Sequence, residues 1–418
     1  MSSKISDFSD VPIVDTHVHG PMTGRKPGAL FGLSPDWYSD FAKTLMPEGS
    51  TDRNLEREKL KEVVEQFETR PSSISRFHYL RKSYRFSSTG KEDVEKRIVN
   101  KIQTVGIKRY AEQAFSRERI KWVLVDHTRL TNEPRSDMAE FPDEKKKWTH
   151  PIALMLQPYW AIAKKAESAI GVAQEIDADL EMAKTNGCSG LKSTQAYFRD
   201  FSLEDVDEDE ANRALRMLKK CKPQSHVEEP VRFPVYGRQE ERESLKKYQD
   251  FLLKRIFCKS GELKMPVLIH TAVSVNPKLK PWLNDPSKLY TVFDNNAIRR
   301  ANTKFLLIHT GYPMHHAVSA LISQYPNVYT DLSHYSKDLA YLNTKILSEF
   351  LSISSYTKVM HGSDGSHPDI MCYAAHNTRI AVSHLADWLY NVEHWSRSEV
   401  YSLAEHILHK NAESLFGK

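Results

Sequence analysis

The chain has 418 residues, which suits one large barrel with insertions or two to three smaller domains. With 40% hydrophobic and 27% charged residues it is globular in composition, which excludes wholesale disorder and collagen-like repeats. A net charge of +5 is small for this length and gives no reason to expect a nucleic-acid or membrane partner. Its four cysteines, Cys188, Cys221, Cys258 and Cys372, form no CxxC pair, which argues against a zinc ribbon or a disulfide framework. The N-terminal MSSKISDFSD lacks the apolar core of a secretory signal, and the most apolar segment, 151–163, is too short to span a bilayer. A soluble, cytoplasmic protein is expected.

The first strand is predicted over 11–19, a β-branched run stopped by Gly20 and Pro21. From 20 to about 120 no β run occurs. Apolar residues recur at helical spacing over 54–69, where Pro71 is read as the stop, and over 91–114. This segment is predicted to be a mostly helical insertion that caps the rest. Strands are then expected over 121–126, 152–157 and 190–197, with a helix over 161–184. A second helical insertion is expected over 203–262. Four more strands follow, over 266–270, 305–309, 327–333 and 358–364, with helices over 315–325 and 338–351 between them. These late strands are short, continuous apolar runs, as parallel strands buried on both faces should be. Eight strands alternating with helices predict an α/β fold, a (β/α)8 TIM barrel in a single domain over 1–418. A doubly wound open sheet is the alternative, but no GxGxxG or GxxxxGK[ST] follows any strand.

Residues with metal-binding chemistry fall at the carboxyl ends of these strands. His17 and His19 are two apart, so a strand turns both imidazoles to one side, where they can share a divalent ion. His270 ends Pro-Val-Leu-Ile-His, His309 ends Phe-Leu-Leu-Ile-His, and Asp364 closes the last strand in His-Gly-Ser-Asp-Gly. Each alone has an ordinary structural reading, as a packed histidine or a turn aspartate. Their coincidence at strand ends, where barrels carry their active sites, is what points to chemistry.

The motifs Val-Asp15-Thr-His17-Val-His19-Gly, Leu-Ile-His270-Thr, Leu-Ile-His309-Thr-Gly-Tyr-Pro, Asn327-Val-Tyr-Thr-Asp331-Leu-Ser and His-Gly-Ser-Asp364-Gly resemble those of the amidohydrolase superfamily, in particular its amidohydrolase-related branch. The resemblance runs from about residue 11 to the C-terminus, outside the helical insertions. It implies a metal-dependent enzyme of TIM-barrel fold, with His17, His19, His270, His309 and Asp364 as metal ligands. It also places Lys192, in Gly-Leu-Lys-Ser-Thr, where binuclear members carry a carboxylated lysine that bridges two metals. A plain cationic Lys192 that contacts a substrate carboxylate is the alternative, and one ion is favoured over two.

Such a site would hold Zn2+, or Mn2+, with Asp364 as the proton acceptor and His309 as electrophile or acid. Substrate contacts are expected from Gln157, Tyr197, Arg199, Tyr312 and His334 in the strand-end loops, with Arg199 suited to a carboxylate. The leading expectation is a hydrolase of an amide, lactone or related carbonyl bond in a small molecule. A metal-dependent non-oxidative decarboxylase of an aromatic or unsaturated acid is the alternative. A non-catalytic barrel kept as a binding protein is the third reading, although no ligand position has visibly been lost. The sequence is compatible with a homo-oligomer.

Overall fold

Four of the apolar runs become strands of only four residues: β4 (Gly190–Ser193), β5 (Val267–His270), β6 (Phe305–Ile308) and β7 (Val328–Asp331). They are buried almost throughout, because a parallel strand in a barrel has packed side chains on both faces. These features come from a computed structural model, which describes residues 7–19, 42–43, 45–47, 50–87, 90–126, 141–151, 165–197, 199–221, 238–271, 283–333, 335–337 and 340–417. The remaining strands are β1 (Ile13–His19), β2 (Ile120–Asp126), β3 (Lys146–Pro151) and β8 (Val359–Met360).

All eight pair in parallel with their sequence neighbours, in the order β1 to β8. The ring is completed between the last strand and the first. Val18 bridges Gly365, the Asp364 N–H donates to His17 O at 2.8 Å, and the His19 N–H donates to Gly365 O at 2.8 Å. The architecture is the expected (β/α)8 barrel. Its interior is packed with Val14, Trp122, Leu124, Leu268, Leu306, Ile308 and Met360, which meet Ala412, Leu415 and Phe416 of the C-terminal helix. A larger apolar shell lies between the strands and the outer helices.

The third strand departs from the reading of the sequence. It lies over Lys146–Pro151, and 152–157 is outside the described residues. Its first two residues are lysines, which hid it from a search for apolar runs. Lys146 pairs with Asp143 at 2.7 Å, and Lys147 lies over the Trp122 ring and bonds to the backbone of Phe416. Both ammonium groups therefore leave the barrel at the amino end of the strand.

Between β1 and β2 lie α1 (Arg53–Glu68), α2 (Pro71–Ser83), α3 (Lys91–Val105) and α4 (Ile107–Arg117). Pro71 does not only end a helix; it begins the next one at N1, where a missing N–H costs nothing. The single helix expected over 91–114 is split at Gly106, whose φ of +81° suits glycine. These helices dock on α10 (Pro368–Asn391, following β8) through a buried cluster. Tyr84 and Tyr110 each donate to Asp369 at 2.6 Å, and their hydroxyls lie 2.5 Å apart.

Between β3 and β4 lies α5 (Ala169–Thr185), and between β4 and β5 lie α6 (Glu208–Lys220) and α7 (Gln239–Glu262). A capping box from Asp207 and Glu210 starts α6, whose face of Ala211, Ala214, Leu215 and Leu218 is buried. After β6 and β7 come α8 (His315–Gln324) and α9 (Ala340–Ile353). Among the described residues no helix is long and apolar enough to cross a membrane.

Candidate metal centre

The end of β1 and the turn after β8 meet at the seam of the barrel. Alternation along β1 brings the rings of His17 and His19 to one side, with centroids 4.8 Å apart. Both point Nε2 at one oxygen, Asp364 Oδ1, at 3.3 Å from His17 and 2.8 Å from His19. Asp364 reaches this position with a left-handed φ of +54°, pinned by its N–H on His17 O. The preceding turn needs Gly362, where a Cβ would lie 2.6 Å from Asp331 Oδ2 and 2.9 Å from Thr16 Oγ1.

The charge on Asp364 is balanced from the other side. Lys337 Nζ lies 2.7 Å from Oδ2 and 3.0 Å from the Asp364 carbonyl. Burial opposes the carboxylate charge, but Lys337 and the two histidines outweigh it and hold the carboxyl well below the usual range. His17 is driven the other way, well below the ordinary histidine value, by burial and by nearby Lys192. It is therefore a neutral imidazole, the form that binds metals. His19 turns its Nδ1 toward Asp126 at the end of β2, 3.6 Å away.

His309 and His270 continue the row of rings. His309 is 5.2 Å from His17 and 4.4 Å from His270, centroid to centroid. The tautomer of His309 follows from its partners. Asp331 Oδ1 accepts the Ser333 hydroxyl at 2.6 Å, so that hydroxyl oxygen must accept from His309 Nδ1–H at 2.8 Å. This leaves Nε2 as the basic nitrogen. Burial and neighbouring His270 keep the ring neutral. Like Asp364, His309 has a positive φ, +75°, and its N–H is held by Asp331 Oδ1 at 3.0 Å.

Lys192 at the end of β4 is buried, with Nζ 3.1 Å from His17 Nε2. Burial pushes its pKa down, against the attraction of Asp126, Asp364 and Asp331. Beneath the site, Asp15 accepts from Ser363 N–H at 2.8 Å and is pushed up to about 7, mainly by burial.

The expected substrate contacts lie in different places. The Tyr197 ring is 5.0 Å from that of His270. Tyr312 packs on Tyr335 and stacks on His315. The guanidinium of Arg199 is engaged within its own neighbourhood, by Asp250 at 2.5 Å and by the carbonyls of Asp200 and Ser202. Gln157 and His334 lie outside the described residues. Reading the sequence missed Lys337, Ser333 and Asp126 as parts of this arrangement. Asp126 carried a usable signal, since it ends a strand as His270 does; Lys337 lies in a turn and carried none.

Two imidazole nitrogens and one carboxylate oxygen, all within 4.8 Å of one another, form a donor set that fits a divalent metal. The Amidohydrolase family model matches residues 209–418, just over half of the chain. The chain belongs to the amidohydrolase family. The matched part of this amidohydrolase contains His270, His309 and Asp364, while His17, His19 and Lys192 precede it.

Solved structures share its fold along nearly the whole chain. A Lactobacillus casei protein assigned as a metal-dependent hydrolase is 18% identical with a TM-score of 0.71, covering 100% of this chain and 98% of its own. A uronate isomerase from Thermotoga maritima is 14% identical with a TM-score of 0.68, covering 98% and 95%. A glucuronate isomerase from Caulobacter crescentus is 12% identical with a TM-score of 0.66, covering 98% and 91%. No curated protein sequence matches the chain. Family and donor set together mark a metal-dependent enzyme of this superfamily acting on small molecules.

Proposed function

We propose that this amidohydrolase is a metal-dependent hydrolase of an amide, lactone or related carbonyl bond in a small, carboxylate-bearing molecule. The observation that carries the reading is the convergence of His17 Nε2 and His19 Nε2 on Asp364 Oδ1 at the mouth of the barrel. These three residues would hold one Zn2+, or Mn2+ as second choice, with His270 available to complete the set. When bound, such an ion supplies a Lewis acid that polarises a carbonyl and acidifies water.

The residues around it have separable tasks. Asp364 accepts the proton of the attacking water and returns it to the leaving group. His309, with Nδ1–H committed to Ser333, offers Nε2 to the reacting group. Lys192 stays uncarboxylated and meets the substrate carboxylate as a cation; the single-ion reading rests on this. Tyr197 borders the substrate beside His270. We read the chain as one barrel domain whose segments 20–120 and 203–262 are insertions, the first serving as a cap. In support, Arg76 of α2 donates to the Lys337 carbonyl at 3.3 Å, beside Asp364.

A second reading is isomerisation of a sugar acid. It is favoured by the two isomerase structures that cover 98% of this chain. Non-oxidative decarboxylation would use the same ligands and ends in CO2. A panel of lactones, N-acyl amino acids, uronates and hydroxybenzoates, assayed for ring opening, isomerisation and CO2 release, separates the three. Hydrolysis is expected, with Asp364→Asn about 10²–10⁴-fold slower, as when a general base is lost. Isomerisation or CO2 release without hydrolysis overturns the first reading. Near-wild-type turnover in Asp364→Asn removes Asp364 as the base.

A further inference from the structure

A second group of potential ligands lies on the outer surface, where the start of α8 faces α9. His315 Nε2 is 2.5 Å from Glu349 Oε2, and His316 Nδ1 is 3.9 Å from the same oxygen. The two imidazole rings are 4.4 Å apart. His315 and Glu349 are mostly covered, at 12% and 28% exposure, while His316 is 77% exposed.

The hydrogen bonding of His315 is what makes this a site. Its Nδ1 lies 3.1 Å from the Pro313 carbonyl oxygen, which can only accept. That geometry places an N–H on Nδ1. Nε2 faces a carboxylate oxygen of Glu349 2.5 Å away. The His316 ring nitrogen, 3.9 Å from the same oxygen, supplies a third donor. The donor atoms of His315, His316 and Glu349 all lie within 4.8 Å of one another. A histidine that gives one N–H to a backbone carbonyl and presents its other nitrogen to the ligand position is the usual arrangement around a bound metal. The Tyr312 ring, stacked on His315 at 5.7 Å and 9°, further fixes the imidazole plane.

We propose that His315, His316 and Glu349 form a second zinc site, separate from the barrel mouth, that ties α8 to α9. Two nitrogens and one carboxylate oxygen suit Zn2+, with water in the remaining position. Donor atoms around a tetrahedral zinc lie about 3.3 Å apart for bonds of about 2.0–2.1 Å. The 2.5 Å contact would open and the 3.9 Å contact would close, each by less than an ångström.

The test uses protein carrying His17→Ala and His19→Ala, so that zinc at the mouth is lost, titrated with ZnCl2 by calorimetry and by thermal melting. About one zinc per chain should still bind and raise the Tm. Adding His316→Ala, a change at an exposed position that leaves packing intact, should weaken that binding at least tenfold and flatten the Tm response. Glu349→Gln should do the same. Equal zinc binding and an equal Tm response with and without these changes would overturn the site and leave His315–Glu349 as an ordinary ion pair.

Discussion

Lys337 offers a way to test the metal centre without knowing the substrate. Its ammonium is 2.7 Å from Asp364 Oδ2, and both groups are partly covered, at 22% and 14% exposure. The gross attraction at that distance is about 6 kcal/mol at an effective dielectric of 20. Most of it offsets the desolvation of two charges, so Lys337→Met should cost about 1–3 kcal/mol in metal-free protein. Methionine keeps the apolar stem, so the charge is what is removed. With a divalent ion on Asp364, the carboxylate is already neutralised and Lys337 is a like charge nearby. The same substitution should then cost less. The two losses and the two binding energies form a closed cycle, so the difference must reappear as tighter metal binding. A difference of about 1.4 kcal/mol means a tenfold gain in Zn2+ affinity. Urea unfolding with EDTA and with saturating Zn2+, and a chelator competition for affinity, measure both sides. An equal stability loss in the two conditions, with unchanged affinity, would show that Lys337 and the metal do not share Asp364.

Three further expectations follow from the same structure. His17→Ala with His19→Ala should lower the zinc content by about one ion per chain in metal analysis, while the circular dichroism of a folded barrel persists; an unchanged zinc content refutes the ligand assignment. Tyr110→Phe removes a 2.6 Å bond to the fully buried Asp369 and should cost about 1.5–3 kcal/mol in urea unfolding. A cycle with Tyr84→Phe should show coupling, because the two hydroxyls touch. His361 is buried, and burial together with Arg379 pushes its pKa down to about 3. The unfolded chain takes up that proton near pH 6.5, so the stabilisation is complete above this pH. It declines as pH falls toward 3, by at most about 1.4 kcal/mol per pH unit. His361→Gln should flatten the acid side of a stability–pH profile; an unchanged slope would assign it to other groups.

Much of this arrangement could be read from residue order alone. His17 and His19 stood out because a two-residue period has one structural meaning in a strand. His270, His309 and Asp364 stood out because each fell at the end of a predicted strand. β3 escaped because Lys146 and Lys147 satisfy their charges at the open end of the barrel and against Trp122, a tertiary circumstance. Pro71 was read as a stop because proline punctuates helices at either end, and only the structure shows which. Arg199 looked like a substrate anchor since free arginines in strand-end loops are; Asp250, 51 residues further on, engages it instead. Lys337 had no local mark, because its meaning depends on where the turn after β8 places a carboxylate.

The seam between β8 and β1 also has a consequence for biosynthesis. Asp364 lies 347 positions after His17 and 345 after His19, and the backbone bonds that close the ring are the ones that bring these side chains together. During synthesis both histidines precede by 345 residues or more the Asp364 carboxylate on which they converge. Long-range closures of this kind are slow to form and come late. Metal added to a nascent or truncated chain should therefore find two unconstrained imidazoles, and tight capture should begin only once the circle shuts. The ion would then act as a clasp on a finished ring rather than as a nucleus for building one.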